Sequence, residues 1–126
     1  MLAATILICA SLTAVDGDTV KCDGVNLRPM GDGAPDISGF DTPEIRGEKC
    51  VEEERLGLLA KERMSEFLMV EGLVVEDSGI EDFYGRPLVV LRLPDGSTVG
   101  QRLIEEGYAR EWFPGYQANW CNVNAS

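Results

Sequence analysis

The spacing of apolar positions changes along the chain, and each change predicts an element. Residues 51–70 place apolar side chains three and four positions apart, which predicts a helix with one buried face; they are Leu56, Leu59, Ala60, Met64, Phe67 and Leu68. Residues 5–15 are rich in Ile, Leu, Val and Thr and predict a long first strand. Shorter runs of the same kind predict further strands at 19–22, 25–27, 73–76 and 88–93.

Turn signals separate these runs and indicate the class of fold. Asp23-Gly24 predicts a hairpin between the second and third strands, and Gly107 predicts the end of a short helix over residues 99–106. Residues 32–39 have the composition of a loop, and residues 112–126 predict an irregular tail. The order of elements indicates an α+β fold, mainly β, with an antiparallel sheet.

Length and composition narrow the possible classes of protein. A chain of 126 residues predicts a single domain over residues 1–126, and we expect a monomer. No apolar stretch is long enough to span a membrane, so no membrane partner is expected. The chain has no histidine, which excludes Ser-His and Cys-His nucleophilic pairs and zinc sites with histidine ligands.

The four cysteines bear on the compartment in which the protein folds. Cys9, Cys22, Cys50 and Cys121 contain no Cys-x-x-Cys pair, which argues against a zinc or thioredoxin-like site. Two disulfides in any of three pairings are one interpretation, and four buried thiols are the other. Disulfides are typical of an oxidising compartment, so we expect a secreted or periplasmic protein. The apolar segment 1–14 is interpreted either as part of the first strand or as a signal remnant.

Four short charged motifs stand out from this background. They are Asp16-Gly17-Asp18-Thr19, Arg28, Asp41-Thr42-Pro43-Glu44 and Tyr84-Gly85-Arg86. Carboxylate oxygens are the ligands that a hard divalent cation prefers, and a carboxylate can also orient or deprotonate an attacking water. Guanidinium groups offer paired donors to a phosphoryl group whose negative charge grows in the transition state. Together these residue types indicate metal-assisted cleavage of a phosphodiester.

In order and spacing, the four motifs resemble the staphylococcal nuclease (thermonuclease-like) family over roughly residues 12 to 113. The resemblance implies a five-stranded OB-type barrel with helices packed against it, and an endonuclease acting on DNA or RNA. The chain departs from the family in the insertion at residues 32–39 and in Phe83, which stands where some members have a lysine.

The resemblance also implies a metal site. Asp18 and Asp41 would supply carboxylate oxygens, and the backbone carbonyl of Thr42 would add a third ligand. Asp16 would support the site without binding the metal directly. The expected cofactor is Ca²⁺, with another divalent cation as the alternative.

The remaining implied roles concern the reaction itself. Glu44 would orient or deprotonate the attacking water, and Arg28 and Arg86 would stabilise the transition state. Tyr84 would contact the substrate by hydrogen bonding or stacking.

The net charge of −11 favours a second interpretation of the same motifs. The chain has 11 basic against 22 acidic side chains, whereas nucleic-acid-binding domains usually carry a basic stripe. The alternative is therefore a non-catalytic OB-fold module that binds nucleic acid and descends from such nucleases.

Overall fold

The computed structural model contains eight strands and two helices in the part of the chain that it describes. That part comprises residues 5–31, 39–43, 45, 50–112 and 120–121, apart from the side chains of residues 39, 41 and 112. The elements are β1 (Thr5–Leu7), β2 (Leu12–Asp16), β3 (Thr19–Cys22), β4 (Val25–Pro29), β5 (Gly39–Asp41), α1 (Val51–Leu68), β6 (Val74–Glu81), β7 (Pro87–Arg92), α2 (Val99–Glu105) and β8 (Arg110–Trp112).

Six of the strands form one sheet in the order β1-β6-β7-β4-β3-β2. Strands β1 and β2 lie at opposite ends of this order although only residues 8–11 separate them, so the sheet must curl to bring its ends together. The β4–β7 pair is parallel and the other four pairs are antiparallel. This mainly β structure with two packed helices confirms the expected α+β fold of the OB type. The main sheet has six strands and is open, rather than the expected five-stranded barrel, because the two halves of the first strand pair separately with β6 and β3.

The predicted long first strand is divided in two. Asp23 explains the break, because its carboxylate accepts hydrogen bonds from the backbone N–H groups of Ala10 (3.1 Å) and Ser11 (2.7 Å). A disulfide between Cys9 and Cys22 holds the same corner. β1 therefore pairs with β6, and after the break the chain turns so that β2 pairs with β3. The Asp23-Gly24 hairpin is confirmed, with φ of 49° and 88° at these two residues.

Helix α1 confirms the predicted helix and part of its predicted buried stripe. Its buried positions are Glu53, Gly57, Ala60, Met64 and Phe67, whereas Leu59 is 38% exposed. The helix lies on β2 and contacts α2, and its Met64 and Phe67 join a core built from β3, β4, β6, β7 and α2. Leu56 and Leu68 are half-buried, and Glu53 and Gly57 complete the buried face at the N-terminal end of the helix.

Strands β5 and β8 form a second sheet that the apolar pattern does not predict. They pair in antiparallel register, with Gly39 opposite Trp112, Phe40 opposite Glu111 and Asp41 opposite Arg110. Phe40 is fully buried and packs against Gly100 of α2, where a Cβ atom would lie 2.6 Å from the Phe40 ring. This pairing anchors the segment that carries Asp41 and Thr42 to the body of the protein.

The second disulfide joins Cys50, immediately before α1, to Cys121. No free cysteine occurs among the described residues, so the interpretation as four buried thiols is wrong. The two disulfides are consistent with an oxidising compartment. Of the predicted loop at 32–39, residues 32–38 lie outside the described residues and Gly39 instead begins β5; most of the predicted tail lies outside the described residues too. Neither described helix is long and apolar enough to cross a membrane.

We predict that protein folded in an oxidising environment carries no alkylatable thiol and that the two bridges stabilise it unequally. The bridges span 13 and 71 residues, and the loss of loop entropy in the unfolded chain then gives about 3 and about 4 kcal/mol. Chemical denaturation of the Cys9→Ala/Cys22→Ala and Cys50→Ala/Cys121→Ala variants measures both values. Four reactive thiols in the native protein, or no loss of stability in either double variant, would contradict this prediction.

Candidate functional site

The turn between β2 and β3 carries the first charged motif and is packed tightly against two other elements. Asp16 stabilises the turn because its Oδ1 accepts the backbone N–H of Asp18 at 3.0 Å. Gly17 lies where a Cβ atom would approach the Thr42 Oγ1 to 2.7 Å and the Ala60 Cβ to 2.8 Å. The glycine therefore lets the turn fit between α1 and the segment after β5.

Asp18 connects this turn to two neighbouring segments through its side chain. Its carboxylate forms an ion pair with Arg28 of β4, with Asp18 Oδ2 and Arg28 Nη1 2.7 Å apart. The same oxygen accepts the backbone N–H of Thr42 at 3.3 Å. Arg28 also donates to the backbone carbonyls of Asp18 (3.0 Å) and Phe40, and its guanidinium lies 5.7 Å from the centre of the Phe40 ring. The three segments thus share one buried ion pair.

The surroundings of Asp18 keep it ionised. Asp18 is only 7% exposed, and burial by itself raises the pKa of a carboxyl group. The positive charge of Arg28 and hydrogen bonding with Asp16, Arg28 and Thr42 outweigh that effect and hold the pKa of Asp18 below its ordinary value of 3.8. The site therefore presents a buried carboxylate anion at neutral pH.

Arg86 is held by the turn between β6 and β7. Asp82 accepts the backbone N–H groups of Tyr84 (2.9 Å) and Arg86 (2.8 Å) at one oxygen and the Arg86 Nε (2.7 Å) at the other. Burial raises the pKa of Asp82, but the hydrogen bonds and charge of Arg86 and the Tyr84 N–H lower it overall. The turn thereby fixes the direction of the Arg86 side chain.

Thr19 joins the Arg86 turn to the Asp18 ion pair. Its hydroxyl accepts a hydrogen bond from Arg86 Nη1 at 3.0 Å and donates to Asp18 Oδ1 at 3.5 Å. A continuous path of contacts thus runs from Asp82 through Arg86, Thr19 and Asp18 to Arg28. Residues from positions 18 to 86 of the sequence meet at this one place.

The structure brings together most of the residues that the sequence analysis selected. Asp16, Asp18, Arg28, Thr42 and Arg86 form one cluster, and their catalytic and metal-binding roles stay predictions. Tyr84 lies at its rim, 81% exposed, with its ring centre 5.6 Å from the Arg86 guanidinium. The backbone of Asp41 reaches the cluster through β5, but its side chain, like Glu44, lies outside the described residues.

Thr19 and Asp82 are the two members of the cluster that the sequence analysis did not select as site residues. Thr19 ends the first charged motif, and Asp82 lies four residues before Arg86, where an acidic side chain can cap a tight turn. Both positions therefore carried a local signal. No local signal predicted the hydrogen bond between Thr19 and Arg86, which are 67 residues apart in the sequence.

The donors present in the cluster are of the kind that a hard cation binds. Asp18 supplies a buried carboxylate, and the backbone of Thr42 contacts it through its N–H, whereas histidine and free thiolate donors are absent from the described residues. No group of three acidic, histidine or cysteine side chains suited to a metal occurs within the described ranges. A full set of ligands would therefore need Asp41 or Glu44 in addition.

We predict that Asp18→Asn lowers the free energy of unfolding by about 3–5 kcal/mol at pH 7, because it leaves the Arg28 charge buried without its counterion. The folded-state pKa of Asp18 is lowered, so its contribution is fully present above the ordinary value of 3.8 and is lost as pH falls through the folded value. The difference in unfolding free energy between wild type and variant should thus be nearly constant from about pH 5 to about pH 7, where Asp18 is ionised in both the folded and the unfolded chain. It should shrink in stronger acid.

Urea denaturation at several pH values measures this difference. Glu105→Gln, an exposed acid on α2, is the matched control and should change stability little at any pH. A variant gap that is equally large in strong acid, or absent at pH 7, would contradict the role of the ion pair.

A comparison with known families bears on the same segments. The family model described as "Staphylococcal nuclease homologue" matches residues 36–122, which is more than half of the chain and includes Thr42, Tyr84 and Arg86. A search of curated proteins found no significant match. Asp18 and Arg28 precede the matched range but contact Thr42 and Phe40 within it. On the strength of this match, which confirms the resemblance identified from the four motifs, the chain belongs to the staphylococcal nuclease homologue family.

Proposed function

We propose that the protein is a metal-dependent nuclease that hydrolyses phosphodiester bonds of DNA and RNA. Its membership of the nuclease family supports the class of reaction. The observation that carries the proposal is the contact path from Arg86 through Thr19 to Asp18 and Arg28, because it holds two guanidiniums and a buried carboxylate at one place. Those are the groups that phosphoryl transfer requires.

Arg86 is the residue best prepared to bind the scissile phosphate. Asp82 and Thr19 hold its Nε and Nη1, and its side chain is 28% exposed, so it reaches both the cluster and solvent. A guanidinium fixed in advance does not have to reorganise as negative charge grows on the phosphoryl oxygens. Arg86 therefore stabilises the transition state in this proposal.

Arg28 would act from the inner side of the same cluster. It is 14% exposed and donates to Asp18 and Phe40, so a phosphate would have to share it with these acceptors. Its charge lies in a poorly solvated place, where an electrostatic contact is stronger than in water. In this proposal Arg28 contributes charge as much as direct hydrogen bonds.

The water that attacks phosphorus needs a carboxylate, and the family resemblance assigns that role to Glu44. Asp18, Asp41 and the Thr42 carbonyl would hold the cation, for which Ca²⁺ is proposed, with Asp16 supporting the turn that carries Asp18. Such an ion, when bound, neutralises phosphate charge and lowers the pKa of a coordinated water. In this proposal orientation of the water, shared with the metal ion, is the larger contribution of Glu44.

One observation favours the alternative of a non-catalytic nucleic-acid-binding module. The donors of Arg28 already serve Asp18 and Phe40, as they would if Arg28 were there to stabilise the fold. The net charge of −11 also disfavours long-range attraction of a polyanion. Cleavage assays separate the two proposals, because a binding module retains oligonucleotide and does not hydrolyse it.

We further propose that the chain acts as a single-domain monomer in a secreted or periplasmic setting. The two disulfides support an oxidising compartment. An extracytoplasmic nuclease would also be kept away from the cell's own DNA and RNA.

We predict that Arg86→Ala lowers the turnover rate on a single-stranded oligonucleotide by about 30- to 1,000-fold, the cost of losing one preorganised charge contact. Arg86→Lys keeps the charge but loses the planar fork, and it should recover only part of the rate. Arg92→Ala is the matched control, because Arg92 is also ion-paired and lies at the far end of β7. Wild-type turnover in Arg86→Ala, or an equal loss in Arg92→Ala, would contradict the proposed role.

We predict that Ca²⁺ raises the melting temperature of the wild type, because a ligand that binds only the folded state stabilises it. The increase should grow with Ca²⁺ concentration and be much smaller in Asp18→Asn, which keeps the shape of the side chain and removes its charge. Thermal melting in EDTA and in millimolar Ca²⁺ measures both. Equal shifts in wild type and variant would indicate that Ca²⁺ binds elsewhere.

A further inference from the structure

The turn between β6 and β7 presents two aromatic side chains to solvent. Phe83 is 98% exposed and Tyr84 is 81% exposed, and their rings meet edge to face with centres 5.6 Å apart. Burial of a phenylalanine ring is favourable, and an exposed ring does not gain this free energy. A ligand that covers Phe83 would therefore bind more tightly.

The aromatic pair is displayed by a rigid turn. The Asp82 carboxylate accepts two backbone N–H groups and the Arg86 Nε, the Asp82 N–H donates to the Arg86 carbonyl at 2.9 Å, and the Gly85 N–H donates to the Asp82 carbonyl at 3.0 Å. Gly85 has a φ of 82°, which a residue with a side chain rarely adopts. A fixed backbone lowers the entropy lost when a ligand binds to the exposed rings.

The charge around the turn indicates what kind of contact the occupant makes. Residues 81–86 contain two carboxylates and one guanidinium, and Arg86 is already paired with Asp82. Apart from the one phosphate that Arg86 is proposed to bind, a polyanion therefore gains little at this turn through its phosphates. The faces of its bases are uncharged, and stacking of a base on an aromatic ring contributes to binding whatever the base.

The turn is also continuous with the proposed catalytic cluster. The Tyr84 ring contacts both the Phe83 ring and the Arg86 guanidinium, with its centre 5.6 Å from each. A strand whose phosphate is bound by Arg86 would thus pass beside the two rings. Bases in a duplex are stacked on each other and paired, so only an unpaired base can lay its face on Phe83.

We infer that Phe83 is a specificity-determining residue that stacks on an unpaired base of the substrate and gives the enzyme a preference for single strands. The inference rests on the proposed nuclease function and adds to it a base contact beside Arg86. It also explains how a chain of net charge −11 retains a nucleic acid, because stacking replaces part of the missing phosphate neutralisation.

The test compares Phe83→Ala, Phe83→Trp and wild type in the full chain. Three probes of equal length are used: a single-stranded oligonucleotide, the same strand carrying an abasic site in each register near the cleavage point, and the duplex. Cleavage in Ca²⁺ gives KM and kcat, and binding is measured by anisotropy in a Glu44→Ala background. Met69→Ala is the matched control, because Met69 is 85% exposed at the end of α1, away from this turn.

We expect Phe83→Ala to weaken binding of the intact single strand by about 5- to 150-fold, the range for loss of one base–aromatic stack. KM should rise by a similar factor while kcat changes little, because the contact is the same in the ground and transition states. Phe83→Trp should restore affinity, and the salt dependence of binding should be unchanged since no phosphate contact is removed. The duplex and the abasic strand should respond little to the substitution, and the melting temperature should stay that of the wild type.

Three results would overturn the inference. Equal affinities of wild type and Phe83→Ala for the intact strand would show that the ring does not contact the substrate and serves another partner. An equal loss on the abasic strand would show that the effect does not come from a base. If the wild type still cleaves normally, either of these results overturns only the stacking on Phe83 and leaves the nuclease proposal in place. A wild type that neither cleaves nor binds any probe overturns both proposals.

Discussion

The buried carboxylate of Asp18 holds together three segments that are distant in the sequence. A carboxylate with 7% exposure is costly unless its charge is compensated, and here Arg28 and the Thr42 N–H compensate it. The β2–β3 turn, β4 and the segment after β5 must therefore take up one relative arrangement to satisfy this group. Gly17 permits that arrangement because its missing side chain leaves room for Thr42 and Ala60. Asp18 is also the proposed metal ligand, so the fold and the proposed site both depend on its carboxylate.

A second consequence concerns charge. The chain is strongly acidic, yet the cluster contains two guanidiniums held in fixed directions by Asp82, Thr19 and Asp18. Long-range attraction of a polyanion is weak in such a protein. In the proposed enzyme, binding and catalysis would then depend on short-range contacts: preorganised arginines, a carboxylate-bound cation, and the stacking on Phe83 that we infer. The proposed enzyme differs in this respect from nucleic-acid-binding domains that rely on a basic surface.

The sequence predicted those features that depend on local pattern. The period of apolar residues predicted α1 nearly to its ends, Gly107 marked the end of α2, and Asp23-Gly24 predicted the hairpin. Features that depend on distant contacts were not predictable: the break at residues 8–11 arises from Asp23 and a disulfide, and β5 finds its partner β8 some 70 residues later.

The candidate site follows the same division. The motifs selected Asp18, Arg28, Thr42 and Arg86, which meet in the structure, because each motif carries its own chemistry. The part of Thr19 as the bridge between Arg86 and Asp18 was not predictable from any one motif. The buried stripe of α1 was predicted only in part: Ala60, Met64 and Phe67 are buried as expected, whereas Glu53 and Gly57 are buried and Leu59 is exposed.

The most direct test of the account is the fate of a plasmid and a circular single strand incubated with the oxidised, purified protein in Ca²⁺ or in EDTA. Circular substrates have no ends, so their loss reports internal cleavage. We expect Ca²⁺-dependent cleavage of both, faster on the single strand, with no cleavage in EDTA. Intact circles in Ca²⁺ together with retained binding would contradict the nuclease proposal and favour the non-catalytic module.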